Sequence, residues 1–178
     1  MSIPPALRSR TIALVGLPGV GKSSIGRRLA AALGLPFRDA DEEIERAAGR
    51  SISEIFAERG EAEFREGERR VIARLLDNPP HVLATGGGAF MNAETRRLIK
   101  DKATSIWLRA DLEVLARRVA RKNNRPLLRG DDPHKILKGL AEQRHPVYAE
   151  ADITIDSAEA PHSATVSAIL DALEARVT

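Results

Sequence analysis

Spaced glycines followed by a lysine and a hydroxyl form a phosphate-handling pattern. This chain carries one near its start, Gly16-Leu17-Pro18-Gly19-Val20-Gly21-Lys22-Ser23-Ser24. The glycines let successive backbone N–H groups curl around phosphate oxygens. The lysine reaches the β- and γ-phosphates, and the first hydroxyl can ligate Mg²⁺. Gly19, Val20, Gly21, Lys22, Ser23 and Ser24 are therefore the candidate nucleotide contacts, with ATP and Mg²⁺ as the implied co-substrate and ion. The pattern counts only in a strand–loop–helix setting, where the helix start adds its own N–H groups.

Four further clusters could do chemistry. Asp39-Ala40-Asp41 ends a short apolar stretch. There Asp39 can face the metal, while Asp41 either faces a substrate hydroxyl or simply caps the next helix. Arg65 and Glu68, in Phe64-Arg65-Glu66-Gly67-Glu68, share a helix face at three-residue spacing. They are either a surface ion pair or part of a site. Thr85-Gly86-Gly87-Gly88 follows an apolar run, and triple glycine makes sense where backbone must approach a ligand closely. No aspartate ends that run, so Asp39 is expected to do the metal work. Arg125-Pro126-Leu127-Leu128 lies in a stretch rich in Asn, Pro and Gly, with Arg117, Arg118 and Arg121 before it. Arginine on a loop suits a lid that closes over a transferring phosphate.

These residues need a scaffold, and strand-like and helix-like segments alternate from end to end. Segments at 12–15, 81–85 and 103–108, with shorter ones at 36–39 and 152–155, read as strands of a parallel sheet buried on both faces. Helices are expected at 22–33, 41–48, 52–59, 61–76, 92–101, 111–121, 133–148 and 164–176, with Gly34, Gly49 and Gly60 as stops. The alternation predicts a three-layer α/β sandwich made of one domain. Residues 1–10 read as a flexible extension, about 40–77 as a helical substrate-binding insertion and about 120–133 as a mobile lid.

Composition narrows the classes. The chain has 178 residues, enough for one substantial core, and no cysteine, which excludes disulfides and thiolate metal sites. Its apolar runs are too short to cross a bilayer, and the start has no secretory apolar stretch. A cytoplasmic monomer without membrane contact is the expectation. A net charge of +3 admits nucleic acid, but the cations are dispersed and aromatics are only 3%, too few to stack bases, so no nucleic-acid partner is expected.

In order and spacing, Gly-x-x-Gly-x-Gly-Lys-Ser, Asp-x-Asp, Phe-Arg-x-x-Glu, Ala-Thr-Gly-Gly-Gly, Arg-Pro-Leu-Leu and Arg144-His145-Pro146-Val147-Tyr148 resemble shikimate kinase, from about Thr11 to Leu173. The resemblance implies a five-stranded parallel sheet in the order 2-3-1-4-5 with helices on both sides. It implies transfer of the ATP γ-phosphoryl group to the 3-hydroxyl of shikimate. By the same resemblance, Lys22 and the loop amides hold phosphates, Ser23 ligates Mg²⁺, and Asp39 assists the metal through water. Asp41 binds the shikimate hydroxyls and accepts the proton, and Arg65 and Arg144 hold the carboxylate. Gly87, within Gly86–Gly88, offers its backbone, and Glu68 orients Arg65 and Asp41. Arg125 touches the γ-phosphate and Arg118 packs on adenine. Phe56 and Phe64 are pocket walls. Two departures stand out: Ser24 replaces a usual threonine, and residues 156–162 match the adenine-side segment poorly. The rivals are another small-molecule kinase of this fold, such as a gluconate or nucleoside monophosphate kinase, and a P-loop regulatory ATPase.

Overall fold

The computed structural model describes residues 4–121, 132–157 and 161–177. Strand β1 (Thr11–Val15) is buried at every position, as a strand covered on both faces must be. It pairs in parallel with β3 (Val82–Ala84) on one side and β4 (Ala103–Arg109) on the other. Beyond β3 lies β2 (Phe37–Asp39), and beyond β4 lies β5 (Ile153–Asp156). The sheet order is β2-β3-β1-β4-β5, as expected. The chain moves one way from β1 and then returns to the other side. That reversal opens a crevice at the carboxyl ends of the central strands, where open α/β sheets bind ligands.

The helices supply the outer layers. Helix α1 (Lys22–Leu33) packs on β3 and on α7 (His162–Val177). Its close approach to the sheet is set by Gly26, where an added Cβ would stand 2.6 Å from Cε1 of Phe37 on β2. Helix α2 (Ala40–Ala48) follows β2 directly and packs on α3 (Ile52–Leu76). Gly60, non-helical at φ 82° and ψ 172°, divides α3 at a kink into the two helices read from sequence. Helix α4 (Ala93–Lys102) begins at an Asn92 cap that accepts from Thr95 N at 3.0 Å and leads into β4. Helices α5 (Leu112–Arg121) and α6 (Pro133–Tyr148) pack together, the latter capped by Asp132. No helix among the described residues is long and apolar enough to cross a membrane.

Two expectations need correction. The opening segment is not loose throughout: Pro5–Arg8 form a 3-10 turn against α7 with Leu7 buried, because one apolar side chain finds a place in the core. Helix α2 starts at Ala40, not Asp41, and its cap is Asp39, whose Oδ1 accepts from Asp41 N (2.9 Å) and Glu42 N (3.3 Å). The strand runs straight into the helix, so the last strand residue serves as the cap.

Candidate active site

The phosphate loop joins β1 to α1. Gly21 precedes the helix with φ 98° and makes no side-chain cap. Glycine has no side chain to cap the first-turn N–H groups, and a helix start of this kind suits an anion. Lys22 is buried, and its Nζ donates to the carbonyls of Gly16 (2.7 Å) and Leu17 (3.1 Å). Ser23 Oγ donates to Asp39 Oδ2 at 2.7 Å. Ser24 is exposed on the first turn of α1.

Ser23 and Asp39 thus put two hard oxygen donors side by side at the loop. The described residues contain no cluster of three or more His, Cys, Asp or Glu side chains able to hold a metal. This donor set fits Mg²⁺, which keeps most of its waters and takes one or two protein oxygens besides the phosphates.

Arg118 on α5 reaches the same loop, with Nη1 3.3 Å from Gly19 O and 3.4 Å from Val20 O. His162, at the start of α7, stands beside Gly21: an added Cβ there would lie 3.2 Å from the ring Cε1. Partial burial pushes this imidazole down, and Arg28 and Arg118 add to the effect. Sequence reasoning passed over His162 because the segment before it departs from the expected pattern.

Opposite the phosphate loop, three successive glycines each meet a different charged side chain. A Cβ on Gly86 would come within 2.9 Å of Asp41 Oδ1 and 3.2 Å of Glu68 Oε2. On Gly87 it would come within 3.0 Å of Arg144 Nη1 and 3.1 Å of Pro18 Cδ, and on Gly88 within 2.6 Å of Arg65 Cζ. A side chain at any of the three would displace these guanidinium or carboxylate groups, so the triple glycine leaves them where they stand. Pro18, beside Gly87, ties the cluster to the phosphate loop itself.

Elements from four parts of the chain deliver these groups: α2 brings Asp41, α3 brings Arg65 and Glu68, the turn after β3 brings the glycines, and α6 brings Arg144. Arg65 Nη1 donates to Glu68 Oε1 at 2.9 Å, so the helical pair is part of the cluster and not a surface ion pair. Glu68 is 2% exposed, and its Oε2 has no hydrogen-bond partner among the described residues. Burial pushes the Glu68 carboxyl up; Arg65 and Arg144 oppose that shift and Asp41 adds to it. Phe56 and Phe64 face each other with ring centroids 4.7 Å apart, and the Arg65 guanidinium lies over the Phe64 ring. Arg144 is nearly buried, and four residues on, Tyr148 is fully buried with its hydroxyl donating to Gly87 O. Arg125 and the surrounding lid expectation lie outside the described residues.

Chemically, the crevice has a phosphate-binding, Mg²⁺-compatible end and an acceptor end. The acceptor end offers two guanidiniums for a carboxylate or other anion and one carboxylate, Asp41, for a hydroxyl.

A family model for shikimate kinase matches residues 18–174. A shikimate kinase of Caulobacter vibrioides is 71% identical over 167 residues, covering 94% of this chain and 84% of that protein. The structure of a shikimate kinase from Acinetobacter baumannii in complex with shikimate superposes with a TM-score of 0.91 at 35% identity, covering 97% of each chain. A gluconokinase structure from Sinorhizobium meliloti matches with a TM-score of 0.66 at 22% identity, covering 96% of this chain and 94% of its own, a likeness of fold alone.

Proposed function

The chain belongs to the shikimate kinase family, and on that premise we propose that its crevice transfers the γ-phosphoryl group of ATP to the 3-hydroxyl of shikimate, giving shikimate 3-phosphate and ADP. The observation that carries this reading is the glycine turn, whose three residues touch Asp41, Arg144 and Arg65 in succession while its middle residue abuts Pro18 of the phosphate loop. A carboxylic acid bearing several hydroxyls calls for such a set, placed next to the nucleotide phosphates.

Phosphoryl transfer depends mainly on positioning and on neutralising charge. Lys22 leaves its two loop carbonyls to bind the β- and γ-phosphates, and the N–H groups at the start of α1 bind their oxygens. Magnesium, when bound with ATP, neutralises charge on the phosphate oxygens; Ser23 and Asp39 would hold it. Arg65 and Arg144 pair with the shikimate carboxylate, and Glu68 holds Arg65 in place. Asp41 accepts the hydrogen bond of the 3-hydroxyl, orients its oxygen toward the γ-phosphorus and takes the proton as the new bond forms. Phe56 and Phe64 wall the acceptor pocket. Arg118 serves the nucleotide side, and by the family resemblance Arg125 of the Arg-Pro-Leu-Leu motif serves the γ-phosphate. The acceptor groups named above lie on one chain, which is what a working monomer requires.

Replacing Arg65 separates the two ends. Arg65→Ala should raise the KM for shikimate by tenfold to a hundredfold, about what loss of a charge-assisted hydrogen bond costs, and leave ATP affinity within twofold. An equal loss of ATP affinity would contradict the acceptor role.

A further inference from the structure

Helix α6 brings two residues to the glycine turn, one helical turn apart on the same face. Arg144 lies against the α-carbon of Gly87. Tyr148 is 0% exposed, and its hydroxyl donates to the Gly87 carbonyl. The tyrosine is held in turn: its ring centroid is 5.8 Å from that of Trp107 on β4, and the Arg144 guanidinium adjoins its oxygen. A phenol seated this deeply, with its one donor spent on a backbone carbonyl, fixes the direction of that carbonyl.

The Gly87 carbonyl belongs to the same planar unit as the N–H of Gly88. In a trans peptide the two point in opposite directions. Fixing one fixes the other, and glycine on both sides of the bond would otherwise let the unit turn. The Gly86 and Gly88 carbonyls are committed to the short turn that follows, accepting from Ala89 N (3.2 Å) and Met91 N (3.1 Å). The Gly88 N–H donates to no described residue. It sits on the residue whose α-carbon meets Arg65, next to the one that meets Arg144.

We infer that Tyr148 is a positioning residue for the acceptor: by holding the Gly87 carbonyl it aims the Gly88 N–H at the anionic group that Arg65 and Arg144 receive, and it ties that donor to the same helix that carries Arg144. The inference rests on the shikimate reading above. Its chemistry is general: a carboxylate gathered by two guanidiniums gains a third, fixed donor whose direction is set from behind the loop.

The test compares the native enzyme with Tyr148→Phe and Tyr148→p-aminophenylalanine, the second of which restores an N–H donor at the same place. Tyr148→Phe should raise the KM for shikimate about tenfold, the usual scale for one misdirected hydrogen bond to a charge. The KM for ATP should stay within twofold, and the amino variant should recover most of the loss. A residue that merely fills the core would affect both KM values alike, or neither, and the amine would not rescue it; either pattern overturns the inference. If the phenylalanine variant does not fold, the native protein decides. Its Gly88 amide resonance should move on adding shikimate without nucleotide, and an unmoved resonance at saturation overturns the inference. A native enzyme with no shikimate-dependent turnover would instead overturn the functional reading beneath it.

Discussion

Tyr148 is the only tyrosine in the chain, so the ultraviolet absorbance of phenolate reports on it alone. Burial pushes its hydroxyl up to about 12 from the ordinary 10.0, although the nearby Arg144 and Arg65 favour the ionised form. In the folded protein the phenol thus keeps its proton where the unfolded chain gives it up. The linked stability is fully present below pH 10 and is lost as pH rises from about 10 to about 12, roughly 2 to 3 kcal/mol in all. A spectrophotometric titration should show a native midpoint near 12 and a midpoint near 10 in denaturant; a native midpoint near 10 would mean that the hydroxyl is not enclosed. At the phosphate end, Lys22→Met should lower kcat by about 10² to 10³, the scale for losing one preorganised charge donor. Circular dichroism should show the fold kept, because methionine keeps the unbranched apolar stem of Lys22 and the ammonium it removes is held by loop carbonyls.

At the scale of elements, two glycines separate site from scaffold. Gly88→Ala places a methyl group into the Arg65 guanidinium, so the KM for shikimate should rise at least tenfold by displacing a bidentate partner, with little change in melting temperature. Gly26→Ala drives a methyl into the Phe37 ring between α1 and β2. It should cost about 1 to 3 kcal/mol of stability, the usual range for overpacking, and leave both KM values nearly unchanged. Thermal unfolding and steady-state kinetics on the same two preparations check both. The contrast follows what the sequence could disclose. The phosphate loop was legible because it is local: an apolar strand, a glycine turn and a helix in one continuous segment. The five strands and the Gly60 break were legible for the same reason. Asp39 as the cap of α2 was not, because β2 and α2 abut without a linking residue and either aspartate satisfies the spacing. Arg65–Glu68 read by spacing alone as a surface pair before a site; only packing against the glycine turn buries it. Tyr148 meets a carbonyl 61 residues away, and no local pattern marks such a contact.

For the whole molecule, the sheet reversal at β1 places two unlike ends in one crevice. The phosphate loop and Arg118 serve one, and α2, α3, the glycine turn and α6 serve the other. A working monomer should sediment as a species near 19.4 kDa at assay concentrations; activity found only in a larger species would mean that a second copy completes the site. Binding of ATP and of shikimate should each raise the melting temperature in proportion to the logarithm of free ligand, as for any ligand that selects the folded state. Other kinases share this fold, so the identity of the acceptor is the central claim. The measurement that addresses it is Mg²⁺-dependent ADP release from ATP with shikimate, gluconate and nucleoside monophosphates offered separately. Saturable turnover with shikimate alone is predicted; turnover with gluconate or a nucleoside monophosphate and none with shikimate would contradict it.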